Sequence, residues 1–172
     1  MKSLKLPITL FTVSSFIFVL SVLYFGDALP EKLAVHFDAV GHPNGWMSRS
    51  EDMLTILLMG FGLTFIVLTL FYSFRFFPAS YLSVPNQAFW RHPQNYQTAC
   101  NYLFRGSFIL ASNFLIFFTG LHILIIEANL QTTIGLPFPL QYFVIGIFIL
   151  LQTLWVTDIL LYFAKPTPLK NA

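Results

Sequence analysis

Four separate runs of about twenty predominantly apolar residues recur along this chain, and nothing else in it constrains the fold as much. Crossing ~30 Å of hydrocarbon takes about 20 such residues in a helix. Residues 6–25, 53–74, 106–126 and 142–163 meet that length, the last run beginning between Phe138 and Tyr142. In the first, Pro7 sits in the opening turn, where its missing N–H does little harm. The first run also follows Lys2 and Lys5, a basic start such as a signal peptide has. A cleavable apolar core is about 7–15 residues, however, and no A-x-A site follows, so this segment reads as a retained anchor. Ser50, before the second run, is the expected helix cap, with Glu51 and Asp52 suiting the positive dipole end.

Charge supports the same reading. Only 9% of the 172 residues are charged and 56% are hydrophobic, whereas a soluble domain is about 25% charged. So few charges cannot cover a water-facing globule without large apolar patches, which excludes a soluble enzyme domain. A single cysteine, Cys100, excludes a disulfide scaffold. A net charge of +2 with no basic block gives no footprint for nucleic acid. The expected class is an all-α membrane protein: a four-helix bundle forming one membrane domain, residues 1–172, whose first partner is the lipid bilayer.

The positive-inside rule orients it. With the N-terminus inside, Lys2, Lys5, Arg75, Arg91, Arg105, Lys165 and Lys170 are cytoplasmic, and only Lys32 and Arg49 are outside. Asp27, Glu31, Asp38, Glu51, Asp52 and Glu127 fall outside, leaving Asp158 in or near the last span. Both termini are therefore expected in the cytoplasm, as in a multi-pass membrane protein. Tyr24 and Tyr142 at outer ends, with Tyr72, Trp155 and Tyr162 at inner ends, fit aromatic belts.

Two loops carry pattern. In the outer loop, 26–52, residues 34–38 alternate, which predicts a strand with Val35 and Phe37 on one face and His36 and Asp38 on the other. Residues 41–45 (Gly-His-Pro-Asn-Gly) read as a turn, and 46–48 as a returning strand, giving a small extracytoplasmic β-hairpin. Such a hairpin is marginal alone and needs a surface to pack on. In the inner loop, 75–105, Tyr96, Ala99, Cys100 and Leu103 recur at helical spacing after Pro93. That predicts a cytoplasmic amphipathic helix running on into the third span.

The stretch from Leu29-Pro30 through Val35-His36-Phe37-Asp38 to Gly41-x-Pro43-Asn44-Gly45-Trp46-x-Ser48-Arg49 resembles the signature of a bacterial membrane family catalogued as domain of unknown function 1648. Pro85-Asn86-x-x-Phe89-Trp90 followed by Pro93 resembles a second motif that often accompanies it. Gln94-Asn95-Tyr96 stands where relatives usually carry charges. Family members include relatives of a membrane immunity protein that protects a Bacillus producer from its own toxin. The resemblance implies a non-enzymatic binding, immunity or signalling role. His36, Phe37, Asp38, Asn44, Gly45 and Trp46 are then the expected surface for an extracytoplasmic peptide or envelope component. Asn86 and Trp90 are the expected surface for a cytoplasmic protein.

Other chemistry is weaker. His36, Asp38 and His42, with Glu127 or His122 approaching from the third span, are residue types that bind zinc. No recognised zinc spacing is present, and the simpler reading is a His36–Asp38 hydrogen bond stiffening the hairpin. No metal or cofactor is expected. Asn113, Thr119, His122, Gln152 and Asp158 are polar residues in the spans. Such groups usually bond across helices, and acids at membrane depth are functional candidates. A small transporter or ion pathway around Asp158, His122, Asn113 and Gln152 is therefore the alternative function. If the last span starts near Phe138, Asp158 instead sits at the headgroup level, where it can pair with Arg75 or Arg105.

Overall fold

The computed structural model describes residues 4–26 and 29–165. Lys2, Asp27 and Lys170, which entered the orientation count, lie outside the described residues. The elements are α1 (Lys5–Gly26), β1 (Lys32–Phe37), β2 (Pro43–Ser48), α2 (Arg49–Ser73), α3 (Gln87–Trp90), α4 (Pro93–Leu130) and α5 (Phe138–Ala164). Short 3₁₀ turns lie at Phe74–Phe76 and Ala79–Tyr81. Among the described residues, four helices, α1, α2, α4 and α5, are long and apolar enough to cross a membrane, beside one small antiparallel sheet. The chain is a multi-pass membrane protein.

α4 is the centre of the bundle: α1, α2 and α5 all pack on it. Its 38 residues span about 57 Å, well beyond a hydrocarbon core. The helix expected after Pro93 and the third span are thus one continuous element. Ala99, Cys100 and Leu103, read as an interfacial face, are instead buried inside the protein.

Helical periodicity explains the packing. On α2 the buried residues Asp52, Ile56, Gly60, Thr64 and Val67 form one stripe. Phe18 of α1 lies directly over Gly60, where an added Cβ would sit 2.6 Å from the ring. Phe18, Val22, Ile56, Leu115 and Phe118 form the central core. A smaller cluster of Leu29, Leu33 and Ile126 joins the hairpin base to α4. The third cluster, at the opposite end, holds Leu82, Trp90, Ala99, Tyr102, Leu103 and Phe163.

Local chemistry moves some boundaries. α2 begins at Arg49, because Ser48 rather than Ser50 is the N-cap. Its hydroxyl accepts from the Glu51 N–H, and the Glu51 carboxylate accepts from the Ser48 N–H, a reciprocal capping box. The hairpin turn lies at 38–42, not 41–45. Asp38 Oδ1 accepts the amides of Val40 (3.0 Å) and His42 (2.9 Å), and Gly41 takes the left-handed φ of 84°. Pro43 then opens β2, the strand position where proline is tolerated.

Candidate functional site

The hairpin is fastened to the bundle by one side chain that the sequence pattern did not single out. Asn129, in the last turn of α4, accepts the Ala34 N–H at 2.8 Å and donates to the Ala34 carbonyl at 2.9 Å. Its amide also donates to Ile125 O. Ala34 pairs with Trp46 across the sheet, so these two backbone groups lie on the free edge of β1. Asn129 therefore does there what a third strand would do. At the tip, Leu136 N–H donates to Gly41 O, tying the α4–α5 connection to the turn.

Fastened on that side, the hairpin leaves the other open. His36, Asn44 and Trp46 are exposed, and Gly45, Phe37 and Asp38 are partly so. The Lys32 ammonium lies 5.9 Å from the Trp46 ring. The register slips twice, once around Val35 and once around Asn44. These bulges break the simple alternation expected of residues 34–38. The expected His36–Asp38 hydrogen bond is absent: Asp38 holds the turn amides, with His42 Nδ1 at 3.7 Å. The His42 amide, helped by that of Val40, keeps the Asp38 carboxyl below the usual carboxylate range. His36 instead lies against Gly45, where a Cβ would meet its own Cβ at 2.8 Å. Among the described residues, no three His, Cys, Asp or Glu side chains gather as a metal site.

The segment from α1 through the hairpin into α2 is also the part of the chain that is recognisable. Residues 15–61 match the family described as Domain of unknown function (DUF1648). No curated protein and no solved structure matches the chain. The DUF1648 match contains the whole hairpin and its two supporting helix ends, but neither Asn129 nor the 85–93 motif.

The polar side chains of that second motif bond within the protein, although Asn86 itself stays exposed. Asn86, at a left-handed φ of 53°, donates to Phe163 O (3.1 Å) and Ala164 O (2.9 Å), and the Trp90 indole donates to Phe163 O (3.0 Å). Together they satisfy the last carbonyls of α5, which a helix end otherwise leaves unpaired. Trp90 is buried against Tyr162 and Phe163, so its ring faces the bundle rather than a partner. Tyr96 braces the chain just beyond α2: its one hydroxyl proton lies between Phe74 O (2.6 Å) and Phe77 O (2.8 Å).

The polar residues of the spans are dispersed. The Asn113 amide donates to Leu151 O at 3.3 Å, beside an apolar groove of about 250 Å³ between α4 and α5. The Thr119 hydroxyl donates to Leu115 O within α4, and the Gln152 amide nitrogen is buried without a partner. α5 does start at Phe138, which leaves Asp158 about 9 Å from the helix end. Its carboxylate accepts from the Tyr102 hydroxyl at 2.6 Å, and Tyr102 stacks on Tyr162. His122 is far from that group along the bundle. It faces Asp52 of α2, with Nδ1 3.9 Å from Oδ2 and both side chains buried. Sequence reasoning found His122 but not this partner. Asp52 was detectable, because it precedes Ile56 and Gly60 at four-residue steps and so shares their inward face.

Proposed function

We propose that this is a non-enzymatic binding protein of a bacterial cytoplasmic membrane, of immunity or signalling type. Its hairpin is the extracytoplasmic recognition surface and both termini are cytoplasmic. The observation that carries the reading is the asymmetry of the hairpin. One edge is clamped by Asn129, while His36, Asn44 and Trp46 remain exposed on a platform already ordered. Preorganised aromatic and amide groups are what a binding surface needs, since little ordering entropy is then lost on contact. The occupant favoured is a peptide, toxin or envelope component. The cytoplasmic partner is assigned to the opposite end, to exposed Phe76 and Tyr81 rather than Trp90. The lysine and arginine distribution supports the orientation.

A photo-cross-linking residue at Asn44, in intact cells, tests this directly. Capture of an envelope or secreted component, lost on His36→Ala with Trp46→Ala, is the expected result. Capture that is indifferent to those substitutions refutes the surface. Asp158→Asn retains an acceptor for Tyr102 and leaves binding intact; loss of function there would point instead to a pathway through Asp158, Gln152, His122 and Asn113. Orientation is tested by thiol labelling of Asn44→Cys and Gln97→Cys in a Cys100→Ser background, because Cys100 itself is buried. Labelling of both from one side overturns the topology.

A further inference from the structure

Along the inward face of α4, Phe118, His122 and Ile126 follow one another at four-residue steps. The first belongs to the central core and the last to the cluster under the hairpin. His122 thus interrupts an apolar stripe at full burial, and Asp52 interrupts the facing stripe of α2. Asp52 Oδ2, His122 Nδ1 and His122 Nε2 all lack a well-formed hydrogen bond. The Ser21 carbonyl of α1 lies beside the imidazole. Three helices therefore meet at two ionisable side chains whose facing atoms stand 3.9 Å apart, about 1 Å beyond hydrogen-bond contact.

A carboxylate opposite a neutral imidazole leaves one uncompensated negative charge in a dry interior, which is costly. A single added proton brings the pair to net zero and makes both ring nitrogens donors, one of them toward the carboxylate. The positive end of α2 favours the anionic carboxylate, so that proton rests on the imidazole. Its second N–H can then reach the Ser21 carbonyl. Asp52 is in the first turn of α2, only about 4–5 Å below the start of the helix, so a proton has a short route from the hairpin-side solvent. At this end of the elements that meet here, the charged and titratable groups are Tyr24 on α1, Glu31 and Lys32 at the foot of β1, Arg49 and Glu51 on α2, and Glu127 on α4. None is as buried as the pair itself.

We propose that Asp52 and His122 form a one-proton binding site that draws the first turn of α2 against α4. Its occupancy sets how tightly the hairpin end of the bundle is closed. The full chain in nanodiscs, with its four histidines labelled with ¹⁵N, tests this by NMR. His122 is recognised as the ring shielded from a soluble paramagnetic ion, because His36, His42 and His92 are exposed. Its ring signals are expected to titrate, with a midpoint that moves at least tenfold in proton concentration on Asp52→Asn. A His122 ring that keeps one state from pH 5 to 9, or a midpoint untouched by Asp52→Asn, overturns the site. Spin labels at Leu54→Cys and Leu130→Cys, in a Cys100→Ser background, read the mechanical part. The distance between them should widen as pH rises in the otherwise unmodified protein and stay constant with Asp52→Asn. A distance independent of pH while His122 titrates overturns the coupling.

Discussion

Replacing Asn129 by alanine isolates the clamp that holds the hairpin. Asn129 makes two bonds to Ala34, and Ala34 is fully buried, so water does not replace them readily. Each lost bond forfeits about 0.5–1.5 kcal/mol, and a buried backbone group left unpaired costs about 1–3 kcal/mol. With two groups affected, the hairpin loses about 2–6 kcal/mol. That corresponds to an opening equilibrium raised by about 30-fold to about 20,000-fold, at a factor of 10 per ~1.4 kcal/mol. A two-stranded sheet is marginal by itself, so little else resists the opening. Native-state hydrogen exchange reads it at the Ala34 amide. Protection there should fall by that factor, while the amides of α4 near Tyr102 hold their wild-type rates. Asn129→Leu, which keeps volume but not polarity, should behave like the alanine variant. Unchanged exchange at Ala34 in both variants would refute the clamp; a uniform fall at both ends of the bundle would mean that global stability, not the hairpin, had been lost.

Other residues give sharper contrasts. Gly60→Ala places a Cβ 2.6 Å from the Phe18 ring, whereas Gly62→Ala meets nothing within 4 Å; the first should lower stability in detergent by about 1–3 kcal/mol and the second by much less. Trp90→Phe keeps an aromatic ring but removes the indole donor to Phe163 O, so it should cost about 0.5–1.5 kcal/mol and increase exchange of the last α5 amides. The folded-state Asp38 carboxyl is depressed below its ordinary 3.8 by the His42 amide. Its contribution to the turn is therefore complete above about pH 4 and lost as pH falls through the depressed value. The Val40 and His42 amide resonances should track that loss, and Asp38→Asn should remove the pH dependence.

Much of the architecture was legible because a bilayer leaves few options. Length and apolarity alone locate four helices, and the run after Pro93 predicts a helix continuing into the third span. The hairpin was legible as two strands, but its turn was not. Pro43-Asn44-Gly45 has the composition of a turn, yet Asp38 accepts two amides and Gly41 supplies the left-handed residue, closing the chain earlier. Burial of Trp90 was not legible either. A tryptophan near a membrane face has the same sequence appearance whether its indole meets a partner or a helix carbonyl, and only the position of Phe163 decides between them. Asp52 shows the opposite failure. Its sequence neighbours Ser50 and Glu51 made it look like one more cap-region acid, whereas its four-residue spacing to Ile56 and Gly60 turns it inward.

The placement of polar groups separates the two ends of the molecule. At the α3 end, Asn86, Trp90 and Tyr96 donate to the final carbonyls of α5 and α2 and their vicinity, and Tyr102 donates to Asp158. Those side chains already have partners, so using them for recognition means breaking bonds that hold helix ends in place. At the hairpin end the structural task falls to Asn129, Asp38 and the Ser48–Glu51 capping box. That division frees His36, Asn44 and Trp46 to face outward, and leaves Asp52 and His122 facing each other with unused hydrogen-bonding capacity. β2 passes without a linker into α2 and reaches Asp52 within one turn, so a ligand bound to the hairpin as proposed would load that turn. Any coupling between occupancy of the surface and protonation of the pair would have to be reciprocal. If a ligand captured at Asn44 shifts the His122 titration, the same factor must appear as a pH dependence of its affinity; unequal factors would break the link between the two sites.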